Sequence, residues 1–336
     1  QVAHRRRLHL VISPMRAFLA LTRPLNLVII VLTLVTMRYG LLGGVLAASE
    51  RHLQMGHLHF ALLVLSTVLI AAGGNVINDY FDTRIDRINK PKDVIVGRRV
   101  KRRIAMAGHA VLSGVGLLLG LLVAWHAGAL RWAAIPAFAI GALWTYSTTF
   151  KRRFVIGNGL VATLTALVPL TVGLYEIPLL ERHYTSEIIG QGFTEGMAHS
   201  YFRILWVGIG IYTVFAFATT LVRELQKDLA DVKGDELDGC RTVPIVMGTR
   251  WAKAMVVFYA ITIAAGVWTV YDRFLGGALT GWCIGLGVML PILVSAVLTV
   301  FANTRERHVL AGNVMKAAMV VAIGYAWLIG PILRGV

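Results

Sequence analysis

The sequence predicts an all-α polytopic membrane protein, about nine transmembrane helices bundled around a central cavity with a cytoplasmic cap. Three observations lead there. Of the 336 residues, 57% are hydrophobic and only 15% charged, with a mean hydropathy of +0.70; a soluble domain carries about 25% charged residues. The apolar residues fall in stretches long enough to cross hydrocarbon. The basic residues fall on alternate connections between those stretches.

The spans run roughly 18–37, 58–78, 104–125, 132–150, 155–175, 203–222, 253–271, 278–300 and 313–332, each near the ~20 residues that cross ~30 Å of hydrocarbon. The apolar run after Arg23 reads as a first span and not as a cleaved leader, because no small-residue cleavage site follows it. Residues 1–336 read as one transmembrane domain. Gly116 and Gly120 make a small-xxx-small pair that predicts close helix packing. Pro136, Pro169 and Pro291 lie inside spans and predict kinks. The connections 79–103 and 223–253 are long enough for short helices that cap a cavity. The connection 176–202, with Glu176, Glu181, Glu187 and Glu195, predicts an outer helix or lid without chemistry. Cys240 and Cys283 suit neither a disulfide framework nor a thiolate zinc site. Nothing in the sequence sets the oligomeric state.

The net charge is +16, which could suggest nucleic acid, but its distribution excludes that partner. Among the 33 Lys and Arg residues, only Arg38, Arg51, Arg131, Arg182, Arg203 and Arg273 fall on one side of the spans, with Arg334 at the end of the chain. The rest lie on the N-terminal side. The positive-inside rule then puts the N-terminus cytoplasmic, in an integral protein of a prokaryotic inner membrane. Anionic membrane lipids account for much of the excess. On this topology Cys240 is a thiol open to reagents from the cytoplasmic side, and Arg98, Arg99 and Lys101 are the cations nearest the mouth of a cavity.

Two acidic clusters sit where spans end, on the basic side: Asn78-Asp79-Tyr80-Phe81-Asp82-Thr83-Arg84-Ile85-Asp86, and Asp228-Leu229-Ala230-Asp231-Val232-Lys233-Gly234-Asp235. Carboxylates near a bilayer are costly and mark function. On a helix Asn78, Asp82 and Asp86 form one stripe, and Asp228, Asp231 and Asp235 another. Two facing stripes of oxygen donors suit Mg²⁺, a hard cation held by carboxylates and substrate phosphates. Together they could hold Mg²⁺ ions bridged by one diphosphate and neutralise it as a leaving group. Asp238 reads as part of the solvated turn before Gly239, and Arg84 as a topology anchor.

These residues resemble the UbiA superfamily of intramembrane prenyltransferases. Residues 78–86 match the family's Asn-Asp-x-x-Asp-x-x-x-Asp, and Asp231 and Asp235 match its Asp-x-x-x-Asp. Gly239-Cys240-Arg241-Thr242-Val243-Pro244 follows, similar to Gly-x-x-Thr-x-Pro; Arg23-Pro24-Leu25-Asn26 resembles Arg-Pro-x-Asn; and Tyr146 to Lys151, with Gly157-Asn158, resembles the Tyr/Lys element. The resemblance implies an Mg-dependent prenyltransferase with two Mg²⁺ on Asn78, Asp82, Asp86, Asp231 and Asp235, supported by Asp79 and Asp228. Lys151 then touches the diphosphate, Tyr146 lines the cavity near the allylic carbon, and Asn26 and Arg23 lie at its polar end. The substrate is a polyprenyl diphosphate, ionised to an allylic cation and captured by a hydrophobic or lipid acceptor.

The runs 78–91 and 227–244 resemble the branch of digeranylgeranylglyceryl phosphate synthases and chlorophyll synthases. There a Pro-x-x-Ser-Gly stretch commonly follows the first motif; here Asp93-Val94-Ile95-Val96-Gly97-Arg98-Arg99 stands instead. The reading is transfer to a prenylglyceryl phosphate or similar polar lipid. The alternatives are an aromatic acid of quinone synthesis or a porphyrin-type acceptor, and, outside the family, an ion-coupled transporter. A transporter calls for acids near the bilayer midplane, and midspan regions such as 62–72 and 254–270 have none.

Overall fold

The computed structural model describes residues 14–334. The elements are α1 (Pro14–Leu21), α2 (Pro24–Ala47), α3 (His57–Phe81), α4 (Thr83–Asn89), α5 (Arg102–His126), α6 (Ala134–Thr148), α7 (Ile156–Gly190), α8 (Glu195–Leu237), α9 (Val243–Met247), α10 (Thr249–Leu275), α11 (Ala278–Phe301) and α12 (Arg305–Arg334). Among the described residues eight helices are long and apolar enough to span a membrane. The ninth expected span is α6, only 15 residues long after the 3-10 turn Leu130–Ala133.

The long helices close into a ring. α3 meets α6, α6 meets α7, α7 meets α8, and α8, α10, α11 and α12 follow; α12 returns to α2, which packs on α3. α5 covers the outside of α3. A Cβ at Gly116 would lie 2.7 Å from Ile70, and one at Gly120 would lie 2.8 Å from Pro136. Hence the expected small-residue pair lets α5 lie close on α3 and on the start of α6, and Ser66 Oγ of α3 donates to Gly116 O at 2.6 Å. The closure of the ring is equally tight: a Cβ on Gly330 of α12 would be 2.7 Å from the Cα of Gly44 on α2.

The predicted kinks vary. α7 runs unbroken through Pro169 and through Pro178. α11 contains a π segment, Gly285–Met289, immediately before the α-helical turn that holds Pro291 near its start. Pro136 falls in the first turn of α6, where its missing N–H leaves no bond unmade.

The connection expected at 176–202 is the main correction. α7 continues to Gly190 and α8 begins at Glu195, so only 191–194 lie between them. At 35 and 43 residues, these helices are about 52 and 64 Å long, well beyond one hydrocarbon thickness. Glu176 is 1% exposed and pairs with the equally buried Arg38 at 2.8 Å. Arg38 lies in a π segment of α2, Thr36–Leu42, and also donates to Tyr39 Oη and Met55 O. Glu176 accepts from the backbone N–H groups of Gln54 and Met55 at 2.6 and 2.9 Å. The pair is the polar centre of an apolar core built from α2, α3, α7 and α8 at the end remote from the acidic motifs.

Candidate functional site

The two acidic stripes face one another. α3 ends at Phe81 and α4 begins at Thr83, but the turn at Asp82 keeps helical hydrogen bonding. Asp82 N–H donates to Asn78 O at 2.9 Å, Asp86 N–H to Asp82 O at 2.8 Å and Lys90 N–H to Asp86 O at 2.9 Å. The i, i+4 stripe therefore survives the junction. α4 docks on the end of α8 through Asn89, whose Nδ2 donates to Asp231 O at 3.2 Å and whose Oδ1 accepts from Gly234 N–H at 3.0 Å. A Cβ at Gly234 would be 2.4 Å from the Asn89 amide, so glycine within the second motif permits this approach.

Between the stripes lies a cavity of about 290 Å³. Asn78, Asp79, Asp82, Asp86, Asp231 and Asp235 line it with Arg23, Lys90, Lys151 and Lys227. A narrower cleft adjoins it, lined by Tyr146, Asn158, Asp228 and Thr242, and shares Lys151, Lys227, Asp231 and Asp235 with it.

Most of the carboxylates are matched by cations. Arg23 reaches Asp79 at 2.5 Å, Lys151 reaches Asp82 at 2.5 Å, Lys90 reaches Asp86 at 3.3 Å and Arg305 reaches Asp231 at 3.2 Å. Asp82 also accepts from Asn78 Nδ2 at 2.7 Å, and Asp228 accepts from Asn158 Nδ2 at 2.8 Å. Arg23 has a left-handed backbone, φ 55° and ψ 64°, before Pro24. A non-glycine residue adopts it at a cost of about 1–2 kcal/mol, offset here by the ion pair that it places. Burial works against the Lys151 ammonium, but the Asp82 carboxylate outweighs it and holds the pKa above the usual lysine range. Burial raises the Asp86 carboxyl above its ordinary value, with Lys90 opposing.

The donor set fits a hard divalent cation. All five expected ligands are oxygen donors on one cavity, and Asn78 Oδ1 is buried without a hydrogen-bond partner. As they stand, the carboxylates face their basic partners, and no three His, Cys, Asp or Glu side chains converge on a metal-binding point among the described residues.

Of the residues expected within the site, Asn26 lines neither cavity nor cleft; its Oδ1 accepts from Lys316 Nζ at 2.6 Å. Arg98, Arg99 and Lys101 are exposed and also line neither; Arg98 instead donates to Pro91 O at 2.6 Å. Asp238 is not solvated: its side chain is 4% exposed and joins Arg84 at 3.4 Å to Arg152 at 2.9 Å. It thereby ties α4, the turn after α6 and the end of α8 together. Lys227, Lys90 and Arg305 were not anticipated at the site. Lys227 had a signal, since it stands four residues before Asp231 on the second stripe; Arg305 had none.

The model of the UbiA prenyltransferase family matches residues 37–320. A digeranylgeranylglyceryl phosphate synthase of Thermococcus gammatolerans is 31% identical over 322 residues, covering 95% of this chain and 99% of that one. Among solved structures, one from work on digeranylgeranylglyceryl phosphate synthase in membranes aligns with a TM-score of 0.61 at 20% identity, over 94% of this chain and 99% of its own. A UbiA homologue from Archaeoglobus fulgidus bound to GPP and Mg²⁺ aligns with a TM-score of 0.55 at 14% identity, over 95% of this chain and 100% of its own.

Proposed function

The chain belongs to the UbiA prenyltransferase family, and we propose that it transfers a prenyl group from a polyprenyl diphosphate to a prenylglyceryl phosphate. The observation that carries this reading is the convergence of both acidic stripes, with Lys151 and Tyr146, on one cavity and its adjoining cleft. The acceptor class follows from the relative of Thermococcus gammatolerans, which this chain matches along almost its whole length.

In this reading Asn78, Asp82, Asp86, Asp231 and Asp235 would hold Mg²⁺, two ions in all. The metal, when bound, neutralises the diphosphate as it departs. Lys151, Lys90, Lys227 and Arg23 line the same space as the acids, and their ammonium and guanidinium groups bind diphosphate oxygens. Asp79 orients Arg23, and Asp228 orients Asn158. The bond between the allylic carbon and the diphosphate oxygen breaks with its electron pair on the oxygen. The ring of Tyr146, buried beside Lys151 and Lys227, faces the allylic cation and stabilises it. The apolar helix walls keep water from that cation; an acceptor hydroxyl oxygen attacks it, and the hydroxyl proton passes to an oxygen of the released diphosphate. Asn26 acts at the polar end of the acceptor.

Mass spectrometry of products tests the reading. Purified protein with Mg²⁺, C15 to C20 diphosphates and a panel of acceptors should yield the ether-linked prenylglyceryl phosphate. Prenylation of an aromatic acid or porphyrin, with the glyceryl phosphate untouched, would refute the acceptor.

The basic side, with the site, faces the cytoplasm of a prokaryotic inner membrane in this proposal. Cys240 is no probe of it. The thiol is 3% exposed, and burial, reinforced by the Asp235 carboxylate, pushes its pKa up to about 11. It should resist an impermeant maleimide in the folded protein and react after denaturation. Arg99 is exposed. In a Cys283→Ala background, Arg99→Cys should label in inverted vesicles and stay silent in intact cells; the reverse pattern inverts the topology.

A further inference from the structure

Two cations near the site lack a carboxylate of their own: Arg223 shares the field of Glu224 with Lys227, which holds the ion pair, and Lys316 has none among the described residues. Arg223 on α8 makes no ion pair among the described residues, and its Nε is buried without a hydrogen-bond partner. Lys316 on α12 has one polar partner, the neutral Asn26. Both belong to helices long enough to span a membrane. Arg38 by contrast is paired with Glu176, and Lys227 with Glu224. Arg223 and Arg23 lie near enough to Lys316 to repel it. A cluster of like charges at this depth is costly and is ordinarily retained for a counter-ion.

Its position says which counter-ion. Arg223 precedes Asp231 by eight residues, so it lies about 12 Å further into the membrane along α8. Lys316 follows Arg305, the partner of Asp231, by eleven residues, about 16 Å along α12. Asn26 is one turn from Arg23, a cavity residue, and its N–H donates to Arg23 O at 2.9 Å. The cluster thus lies on the membrane side of the acidic cavity, where a lipid acceptor arrives, and not among the carboxylates that would repel an anion. Asn26 Oδ1 is taken by Lys316, which leaves Nδ2 to donate.

We propose that Arg223, Lys316 and Asn26 form the pocket that binds the phosphate monoester of the acceptor lipid. This rests on the proposed function and deepens it. Two cations without an ion pair suit the charge of a phosphate monoester, and the Asn26 amide adds a neutral donor. The exposed Arg98, Arg99 and Lys101, expected nearest the mouth of the cavity, line no part of the site.

Initial rates of the purified full chain, with each substrate varied in turn, test the pocket. Arg223→Gln and Lys316→Met should each raise the KM for prenylglyceryl phosphate about tenfold or more. The KM for prenyl diphosphate should stay within about twofold, Lys316→Arg should keep most of the affinity, and Arg99→Gln should behave as wild type. A binding readout is independent of turnover: prenylglyceryl phosphate should raise the melting temperature of the wild type but not of the double variant, and neutral prenylglycerol should raise neither. Lys316→Met removes a charge from a span and should fold, so it decides the matter if Arg223→Gln does not. An unchanged acceptor KM, or both KM values rising together, overturns the pocket. Wild type that prenylates an aromatic acid but not the glyceryl phosphate overturns the acceptor instead. The pocket then survives as a carboxylate site if the same variants raise the KM for that acid, and falls if they do not.

Discussion

Asp82→Asn should lower kcat/KM by about 10²-fold or more, the scale on which loss of one preorganised transition-state contact is felt. Asp82 is 5% exposed, accepts from Asn78 and Lys151, and faces the cavity shared by both motifs. Asparagine keeps the shape and one acceptor oxygen but removes the charge that a divalent cation needs and that Lys151 now neutralises. The departing diphosphate would then develop its charge against a weaker counter-field. Asp235→Asn, 4% exposed on the opposite stripe, should cost about as much, and the double variant should be silent. Both should insert normally, because losing a carboxylate at a membrane edge carries no insertion penalty. Rates measured with Mg²⁺ and with EDTA make the check. Full turnover in EDTA, or by the double variant, would end the metal-diphosphate reading.

Glu176→Leu should destabilise the protein by about 3–5 kcal/mol, the usual consequence of removing one partner of a buried ion pair. Arg38 would be left as a charge with 1% of its side chain exposed, and the N–H groups of Gln54 and Met55 would lose their acceptor. Thermal unfolding in detergent reads this directly. The double variant Arg38→Met with Glu176→Leu should recover much of the loss, because two apolar side chains replace two charges. Arg38 stands twelve residues beyond Asn26, about 18 Å along α2, so the fraction that stays folded should keep wild-type kcat. A loss below about 1 kcal/mol would mean that the pair is hydrated and not the centre of the core.

The sequence alone determined what local periodicity and composition control. Length and hydropathy set the spans, because crossing hydrocarbon needs about 20 apolar residues whatever the neighbours are. The stripes of Asn78, Asp82 and Asp86 and of Asp231 and Asp235 followed from 3.6 residues per turn, and helical hydrogen bonding through Asp82 preserved the first of them. Gly116 and Gly120 announced a close contact without saying with which helix. Tertiary structure decided which helix faces which, and so which charge meets which. Arg38 and Glu176 are 138 residues apart and each was read as lying outside the core; the ring makes them partners. Asp238 became a buried tie between three segments because α4 and the turn after α6 close over it. Asn26 turned from the cavity to Lys316, 290 residues away, because α12 returns to α2. Such pairings depend on the rotation of each helix about its axis and on the order of helices around the ring, and neither is written in the spacing of residues along a single helix.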